Sequence, residues 1–420
     1  MRVLIYSVSA GAGHVRAAEA ALSAFKRYHP GVEAEHFDVM KLVPPAFRKS
    51  YADSYLKVVN SLPSVWGWLY AKTDRLPPES AFASVRKFVQ RLNTRDILAH
   101  AAERQPDAIL ATHFLPAEIF SDLAKKRRGT RKRGPLVVAP SGAPYGATTN
   151  APPKLAVVIT DHDVHQLWVH PNVDRYYTAS DEIAYLLAER KVDPALIRVT
   201  GIPCDPVFGE LADDPARQRL RKLLGLAGAP APILLLNAHG CGVSGAAAAN
   251  ALAGVINHVL SKGPPKTILV ICGRNQKIKE ALAGAIKVPP LCLVRLYGFV
   301  TNLHELLGIA DLAVTRLLGL STSECLSRCV PMVLVSPIPG QEERNAEMLL
   351  ENGCAVVART PAALSFKLES LLNNPQRLAS MHENCRRTGK PHAAADIAAD
   401  VVDMCKPDGG NAYKPDHFNG

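Results

Sequence analysis

Arg2-Val3-Leu4-Ile5-Tyr6-Ser7-Val8-Ser9-Ala10-Gly11-Ala12-Gly13-His14 opens the chain with a strand-length apolar run and a turn of small residues, and Ala17-Ala18-Glu19-Ala20-Ala21-Leu22 continues it as a helix. A buried strand closed by glycines and followed by a helical pattern is the first strand-helix unit of a parallel sheet. The pattern recurs almost throughout. Strands are expected near Val3 to Val8, Val32 to Val39, Ala108 to Ala111, Leu155 to Thr160, Arg175 to Thr178 and Ile197 to Thr200. A second series is expected at Ile233 to Leu236, Ile268 to Ile271, Leu291 to Tyr297, Leu312 to Thr315, Met332 to Val335 and Ala355 to Val357. Strands alternating with helices give an α/β protein of two doubly wound halves. The turn-rich stretch from Gly201-Ile202-Pro203 to Gly209, followed by Asp213-Asp214-Pro215, marks the joint. The expected domains are residues 1–204 and 205–404, with a mobile Gly, Pro, Asn and Asp-rich tail at 405–420. In such folds ligands sit beyond the carboxyl ends of the strands, so a cleft between the halves is the expected site.

The 420 residues are 48% hydrophobic, enough for a large core, yet the longest apolar runs are strand-sized. A spanning helix needs about 18 uninterrupted apolar residues. The first residues lack a charged leader, a longer apolar segment and a small-residue cleavage site, so a cytoplasmic protein is expected. Lys plus Arg outnumber Asp plus Glu by 49 to 38, a net charge of +11, which calls for an anionic partner. Nucleic acid, a nucleotide-borne substrate and an anionic membrane face all qualify. The densest basic run, Lys125-Lys126-Arg127-Arg128-Gly129-Thr130-Arg131-Lys132-Arg133, carries seven cations in nine residues. It reads as an insertion loop, either solvated or in contact with a membrane surface. No nucleic-acid recognition module accompanies it, so nucleic acid is not the expected partner. The nine cysteines all lie from Cys204 onward with no C-x-x-C pair, which reads as reduced, mostly buried thiols rather than a disulfide framework or zinc ribbon.

Chemistry-bearing residues gather at strand ends. Gly11 and Gly13 allow close approach of a ligand to the backbone, and His14 can take a proton from an acceptor hydroxyl; a capping or packing histidine is the alternative. After the strand near Leu155 to Thr160 come Asp161, His162, Asp163, His165, Trp168 and His170. Asp161 can orient a base or an acceptor hydroxyl, or simply cap a turn. The cluster falls on an irregular loop without a known ligand spacing, so no metal site is expected. In the second half Arg316-Leu317-Leu318-Gly319 leads to Ser321 and Thr322, either of which can cap a helix whose N-terminus faces a diphosphate. Glu324, in the first turn, can hold the two hydroxyls of a ribose or act as an ordinary first-turn acid. Gln341 and Glu342 can hydrogen-bond sugar hydroxyls or stand exposed at a helix start. Asn237-Ala238-His239-Gly240 and Cys272-Gly273-Arg274-Asn275 can bring Gly240 and Arg274 to a phosphate, or be ordinary glycine turns.

Together these residues resemble glycosyltransferase family 28, in particular the branch of monogalactosyldiacylglycerol synthases and processive diacylglycerol glucosyltransferases. The resemblance rests on Gly11-Ala12-Gly13-His14, Thr160-Asp161 with His165, Trp168 and His170, Asn172-Val173-Asp174, Tyr176-Tyr177 and Thr200-Gly201-Ile202-Pro203. It continues through Ile271-Cys272-Gly273-Arg274-Asn275, Tyr297-Gly298-Phe299-Val300 and Pro339-Gly340-Gln341-Glu342 with Asn345. It implies the GT-B architecture: two Rossmann-like domains facing across a cleft, with the acceptor mainly on the first and the UDP-sugar mainly on the second. It implies inversion at the anomeric carbon, no required metal, and no cofactor beyond the UDP-sugar co-substrate. Carried over, His14 is the general base and Asp161 lines the acceptor side. Gly298 and Phe299 face the uracil, Glu324 the ribose, Gln341 and Glu342 the donor sugar, and the helix near Ser321 the departing diphosphate. Two strand ends depart from the family. Arg316-Leu317-Leu318-Gly319 stands where members usually carry Lys-Pro-Gly-Gly, and the glycine-rich strand end becomes Asn237-Ala238-His239-Gly240.

A lipid acceptor requires access to a bilayer. In Tyr51 to Tyr70, Tyr51, Tyr55, Val58, Val59 and Leu62 recur at helical spacing, followed by Val65, Trp66, Trp68, Leu69 and Tyr70, with Lys49, Lys57 and Lys72 nearby. An aromatic face of this kind suits the headgroup boundary, or packs on the first sheet. With the resemblance, the expected activity is transfer of glucose or galactose from a UDP-sugar to diacylglycerol at an anionic membrane surface. The alternatives are transfer of N-acetylglucosamine or use of a different lipid-linked acceptor, and a membrane-binding relative without turnover.

Overall fold

The computed structural model describes residues 1–9, 12–45, 48, 95–130, 152–210, 214–238, 245–316, 319–335 and 341–406. The chain divides into two units, Met1–Pro206 with His392–Gly420, and Val207–Pro391.

The first unit holds β1 (Arg2–Ser7), α1 (Ala12–Tyr28), β2 (Glu33–Asp38), α2 (Arg95–Arg104), β3 (Ala108–Ala111), α3 (Phe114–Thr130), β4 (Lys154–Val158), β5 (Arg175–Thr178), α4 (Asp181–Glu189) and β6 (Ile197–Val199). Its strands form one parallel sheet in the order β2-β1-β3-β4-β5-β6. The central strands are apolar on both faces, as a sheet covered by helices requires. Val3 and Ile5 of β1 and Leu110 of β3 meet Ala18, Ala21 and Phe25 of α1. The alanines let the helix lie close to the sheet. Phe25 is fully buried among them, and burying such a side chain contributes about 1.5–3 kcal/mol.

The second unit holds α5 (Asp214–Leu223), β7 (Ile233–Asn237), α6 (Ala246–Leu260), β8 (Thr267–Ile271), α7 (Gln276–Ala285), β9 (Leu293–Tyr297), α8 (Leu303–Ile309), β10 (Leu312–Thr315), α9 (Gly319–Ser327), β11 (Met332–Val335), α10 (Gln341–Glu351), β12 (Ala355–Ala358), α11 (Pro361–Leu372) and α12 (Pro375–Thr388). Its sheet, again parallel, runs β12-β11-β10-β7-β8-β9. That is the doubly wound order, with the chain reversing direction across the sheet between β7 and β10. In the first sheet the reversal lies between β1 and β3.

Twelve strands were expected and twelve are described in those places. One boundary differs. The last helix, α13 (Ala393–Met404), was expected in the second domain, but it packs against α1 and the first sheet through Ala394, Ile397, Ala398 and Val401. A buried polar contact reinforces this apolar stripe. Asp400 accepts a 2.8 Å hydrogen bond from the Tyr177 hydroxyl and forms a 2.8 Å ion pair with Arg175 and a longer one, 3.9 Å, with Arg198. The basic run also differs from its expectation as a loop, since Lys125 to Thr130 continue α3. Trp66, Trp68 and the rest of Tyr51 to Tyr70, the run beyond Thr130, and residues 407–420 of the expected tail lie outside the described residues. Eight cysteines are described, all free thiols and five of them buried. No described helix is long and apolar enough to cross a membrane.

Candidate active site

The reversal between β1 and β3 places one loop end on each side of a gap, and both ends carry functional groups. α1 begins at Ala12, so Gly13 and His14 lie in its first turn rather than in the turn before it. A Cβ on Gly13 would meet nothing within 4 Å. The open space there belongs to no packed side chain.

His14 is held by the two neighbouring strand ends. Its Nδ1 lies 2.9 Å from the backbone oxygen of Thr112, directly after β3, and 2.9 Å from the hydroxyl of Thr160, two residues beyond β4. The Thr112 hydroxyl in turn donates to the His14 carbonyl at 2.8 Å. A carbonyl can only accept, so Nδ1 carries the proton and Nε2 presents a lone pair. Burial lowers the His14 pKa to about 4, against a smaller opposing effect of the Thr112 carbonyl. The imidazole is therefore neutral at neutral pH, with its basic nitrogen opposite the anchored one.

Around it stands a wall of rings. His113 meets His14 edge to face with centroids 4.6 Å apart, Trp168 lies 6.3 Å from His14, and Phe114 lies 4.0 Å from His113 and 6.0 Å from Trp168. The Leu115 amide donates to His113 Nδ1 at 3.0 Å. Burial, and then the neighbouring His14, hold the His113 pKa well below its ordinary value. Asp161 is buried immediately after Thr160. His165 accepts from the Leu167 amide at 3.0 Å and so caps the short 3-10 turn Gln166–Trp168 that carries Trp168. Thr112, His113, Phe114 and Thr160 were not among the expected site residues. Among the described residues no group of three His, Cys, Asp or Glu side chains is arranged to hold a metal ion.

In the second unit the expected donor residues again stand at carboxyl ends of strands. Gly273 follows β8 with φ +62°, a conformation suited to glycine. A Cβ on Gly298, after β9, would lie 3.7 Å from the Gly273 carbonyl, so the two loops run close together. Arg274 lies over the Phe299 ring at 4.8 Å, and the ring is 62% exposed. This pair offers a flat aromatic face beside a guanidinium. Arg316 follows β10 and is half-buried.

Helix α9 corrects two expectations. It starts at Gly319, so Ser321 and Thr322 lie inside its first turns rather than capping it, and Glu324 falls in the second turn. Leu320 is buried and anchors the helix start ahead of the hydroxyl residues. Thr322 and Glu324 are buried, Ser321 partly so. Gln341 begins α10 and Glu342 follows it. Asn345, on the same helix, is buried. Gly11 and Gly240 lie outside the described residues.

Two family models cover most of the chain. Residues 14–139 and 147–204 match monogalactosyldiacylglycerol (MGDG) synthase, and residues 252–388 match glycosyl transferases group 1. A processive diacylglycerol beta-glucosyltransferase of Bacillus pumilus is 30% identical over 277 residues, 64% of this chain and 67% of that protein. The chain belongs to glycosyltransferase family 28, in the branch of monogalactosyldiacylglycerol synthases and processive diacylglycerol glucosyltransferases. A relative of the same name from Staphylococcus epidermidis is 30% identical over 269 residues, spanning 63% of this chain and 64% of that protein. One from Staphylococcus aureus is 23% identical over 428 residues, covering 100% of this chain and 96% of its own. The fold of this MGDG synthase relative is similar to that of MurG from Acinetobacter baumannii, with TM-score 0.56 and 16% identity over 96% of this chain and 99% of that one. It is also similar to the UDP-GlcNAc 2-epimerase of Neisseria meningitidis, with TM-score 0.55 and 12% identity over the same shares. The architecture is GT-B.

Proposed function

We propose that the chain transfers a hexose, glucose or galactose, from a UDP-sugar to the free hydroxyl of diacylglycerol, with inversion, while associated peripherally with an anionic membrane surface. The observation that carries this reading is the anchored, neutral His14 in a chain of the MGDG synthase family. The acceptor hydroxyl attacks the anomeric carbon and its proton passes to His14 Nε2. The bond from that carbon to the diphosphate oxygen breaks, and UDP leaves with the electron pair. Asp161 orients the acceptor hydroxyl, and Gly11, Gly13, His165 and Trp168 shape the acceptor side.

For the donor, Gly298 and Phe299 face the uracil and Glu324 the ribose. Arg274 and Arg316 supply positive charge to the diphosphate, and Gly240, Gly319, Ser321 and Thr322 bring backbone and hydroxyl donors to it. Gln341 and Glu342 bind the sugar hydroxyls. Trp66 and Trp68 enter the headgroup boundary. The relatives, diacylglycerol beta-glucosyltransferases by name, support this choice of acceptor and keep glucose among the donors.

Release of UDP from UDP-glucose and from UDP-galactose, each with diacylglycerol in anionic vesicles, tests the proposal against His14→Ala. Lipid-dependent release that is lost in the variant supports it and identifies the sugar. Folded, vesicle-bound protein that releases UDP from neither donor defeats this pairing of donor and acceptor.

A further inference from the structure

We infer that Thr160 is a positioning residue: its hydroxyl, with the Thr112 carbonyl, orients the His14 ring so that Nε2 faces the acceptor. The inference rests on His14 being the base and assigns the orienting role to neutral oxygens.

The geometry is specific. Both oxygens lie 2.9 Å from the same ring nitrogen, one from the end of β3 and one from just beyond β4. If Nδ1 were unprotonated, its lone pair would face the Thr112 carbonyl oxygen across 2.9 Å, an arrangement with nothing to hold it. The Nδ1 proton is therefore shared between two acceptors. The Thr160 hydroxyl can accept and still donate onward. Thr112 is held independently, since its amide donates to the Tyr6 carbonyl at 3.0 Å and its hydroxyl to the His14 carbonyl at 2.8 Å. Thr112 and Thr160 are both buried. Groups from two adjacent strand ends thus converge on one ring nitrogen of α1.

Neutral acceptors have a chemical consequence that a carboxylate would not. A carboxylate on Nδ1 would raise the affinity of the ring for a second proton before the reaction. Two neutral oxygens add no charge that would draw a second proton to the ring. They still accept more strongly from the ring as it takes the acceptor's proton, because a hydrogen bond from a charged donor is the stronger one. Among the described residues, the other rings facing His14 are the imidazole of His113, itself kept neutral by burial, and the indole of Trp168.

Thr160→Val keeps the shape and removes the hydroxyl, Thr160→Ser restores it, and Asp161→Asn removes the neighbouring carboxylate. In full-length protein with 15N-labelled histidine, a ring Nδ1–H resonance protected from exchange and missing in His14→Ala is expected, distinct from that of His382, whose Nδ1 lies 2.7 Å from the Cys329 carbonyl. It should be lost or broadened in Thr160→Val and kept in Thr160→Ser and Asp161→Asn. In UDP release, Thr160→Val should lower kcat roughly tenfold to a hundredfold with KM for donor and acceptor within about twofold, and Thr160→Ser should restore most of it. A purely structural threonine would move the melting temperature and leave the protected proton in place. The inference is overturned by a native protein without a protected His14 Nδ1–H, by Thr160→Val retaining both that signal and kcat, or by Asp161→Asn being the variant that removes the signal. The resonance is read without turnover. Absence of release from the native chain with either sugar therefore counts against the donor and acceptor reading, while the protected proton still decides the role of Thr160. If Thr160→Val does not fold, the native resonance and its retention in Thr160→Ser decide.

Discussion

His14 sets the pH response at the scale of single residues. A free histidine loses its basic form as pH falls through about 6.5, whereas burial lowers the pKa of His14 to about 4. The proposed activity should stay on a plateau down to about pH 5 and fall only toward pH 4, measured as kcat/KM for UDP release. An acid limb near pH 6.5 would remove His14 as a buried neutral base. The fold must be followed alongside. His14 and His162 are both lowered to about 4 by burial, and His113 is well below its ordinary value. The unfolded chain binds protons at these histidines as pH drops below about 6.5 while the folded chain does not, so the stability present above pH 6.5 is lost progressively toward pH 4. Thermal melts at each pH separate that loss from titration of the base. Gly13 gives a second prediction. A methyl there meets nothing within 4 Å, and alanine favours a helix over glycine by about 1 kcal/mol. Gly13→Ala should therefore raise the melting temperature by a few degrees while lowering UDP release at least tenfold, because the methyl occupies acceptor space. Unchanged activity would show that the space serves no ligand. His14 is legible in the sequence because it follows glycines after a first strand. The bonds that join Thr112 and Thr160 to His14 are not, since they span 98 and 146 residues and neither a backbone carbonyl nor a hydroxyl leaves a spacing signal.

Elements differ in how plainly the sequence announces them. The strands are legible because most parallel strands buried on both faces read as short apolar runs between turns. Helix starts are less so. Gly319 and Leu320 open α9 ahead of Ser321 and Thr322, whose hydroxyls suggest a cap, since capping chemistry and first-turn chemistry use the same residue types. The allegiance of α13 is hidden for another reason. Its stripe of Ala394, Ile397, Ala398 and Val401 fits any apolar face, and the partners that choose the face, Tyr177 and Arg175, lie more than 200 residues earlier. Asp400 is the test of that docking. Asp400→Ala leaves Arg175 buried without its counter-ion and Tyr177 without its acceptor, which costs about 3–5 kcal/mol for a broken buried ion pair. Tyr177→Phe removes one hydrogen bond to a charged group, about 1.5–3 kcal/mol. Urea denaturation of the two variants should rank them in that order. Equal, negligible losses would mean that the apolar stripe alone holds α13.

At the scale of the molecule, the net charge of +11 and the basic run at Lys125 to Arg133 are the basis of the proposed attraction to an anionic membrane surface, and such an attraction depends on salt. Each basic residue close to an anionic leaflet contributes about 1 kcal/mol, and the attraction decays within a Debye length of about 10 Å at 0.1 M salt and 3 Å at 1 M. Sedimentation with phosphatidylglycerol vesicles should therefore be strong at 50 mM salt and weaken severalfold by 500 mM. Replacing Arg131, Lys132 and Arg133 with alanine removes three charges, worth about 3 kcal/mol if all three touch the leaflet. Vesicle affinity should then fall by up to a hundredfold while the melting temperature holds. The aromatic stretch makes the opposite prediction. The proposed insertion of Trp66 and Trp68 would draw on apolar burial, which salt does not screen, so Trp66→Ala with Trp68→Ala should weaken binding equally at both salt concentrations and on neutral phosphatidylcholine. Binding that ignores both salt and the loss of the three cations would assign docking to the aromatic stretch and leave the positive charge to the anionic co-substrate. A salt-sensitive complex unaffected by loss of the tryptophans would assign it to the basic run, with Trp66 and Trp68 left as core.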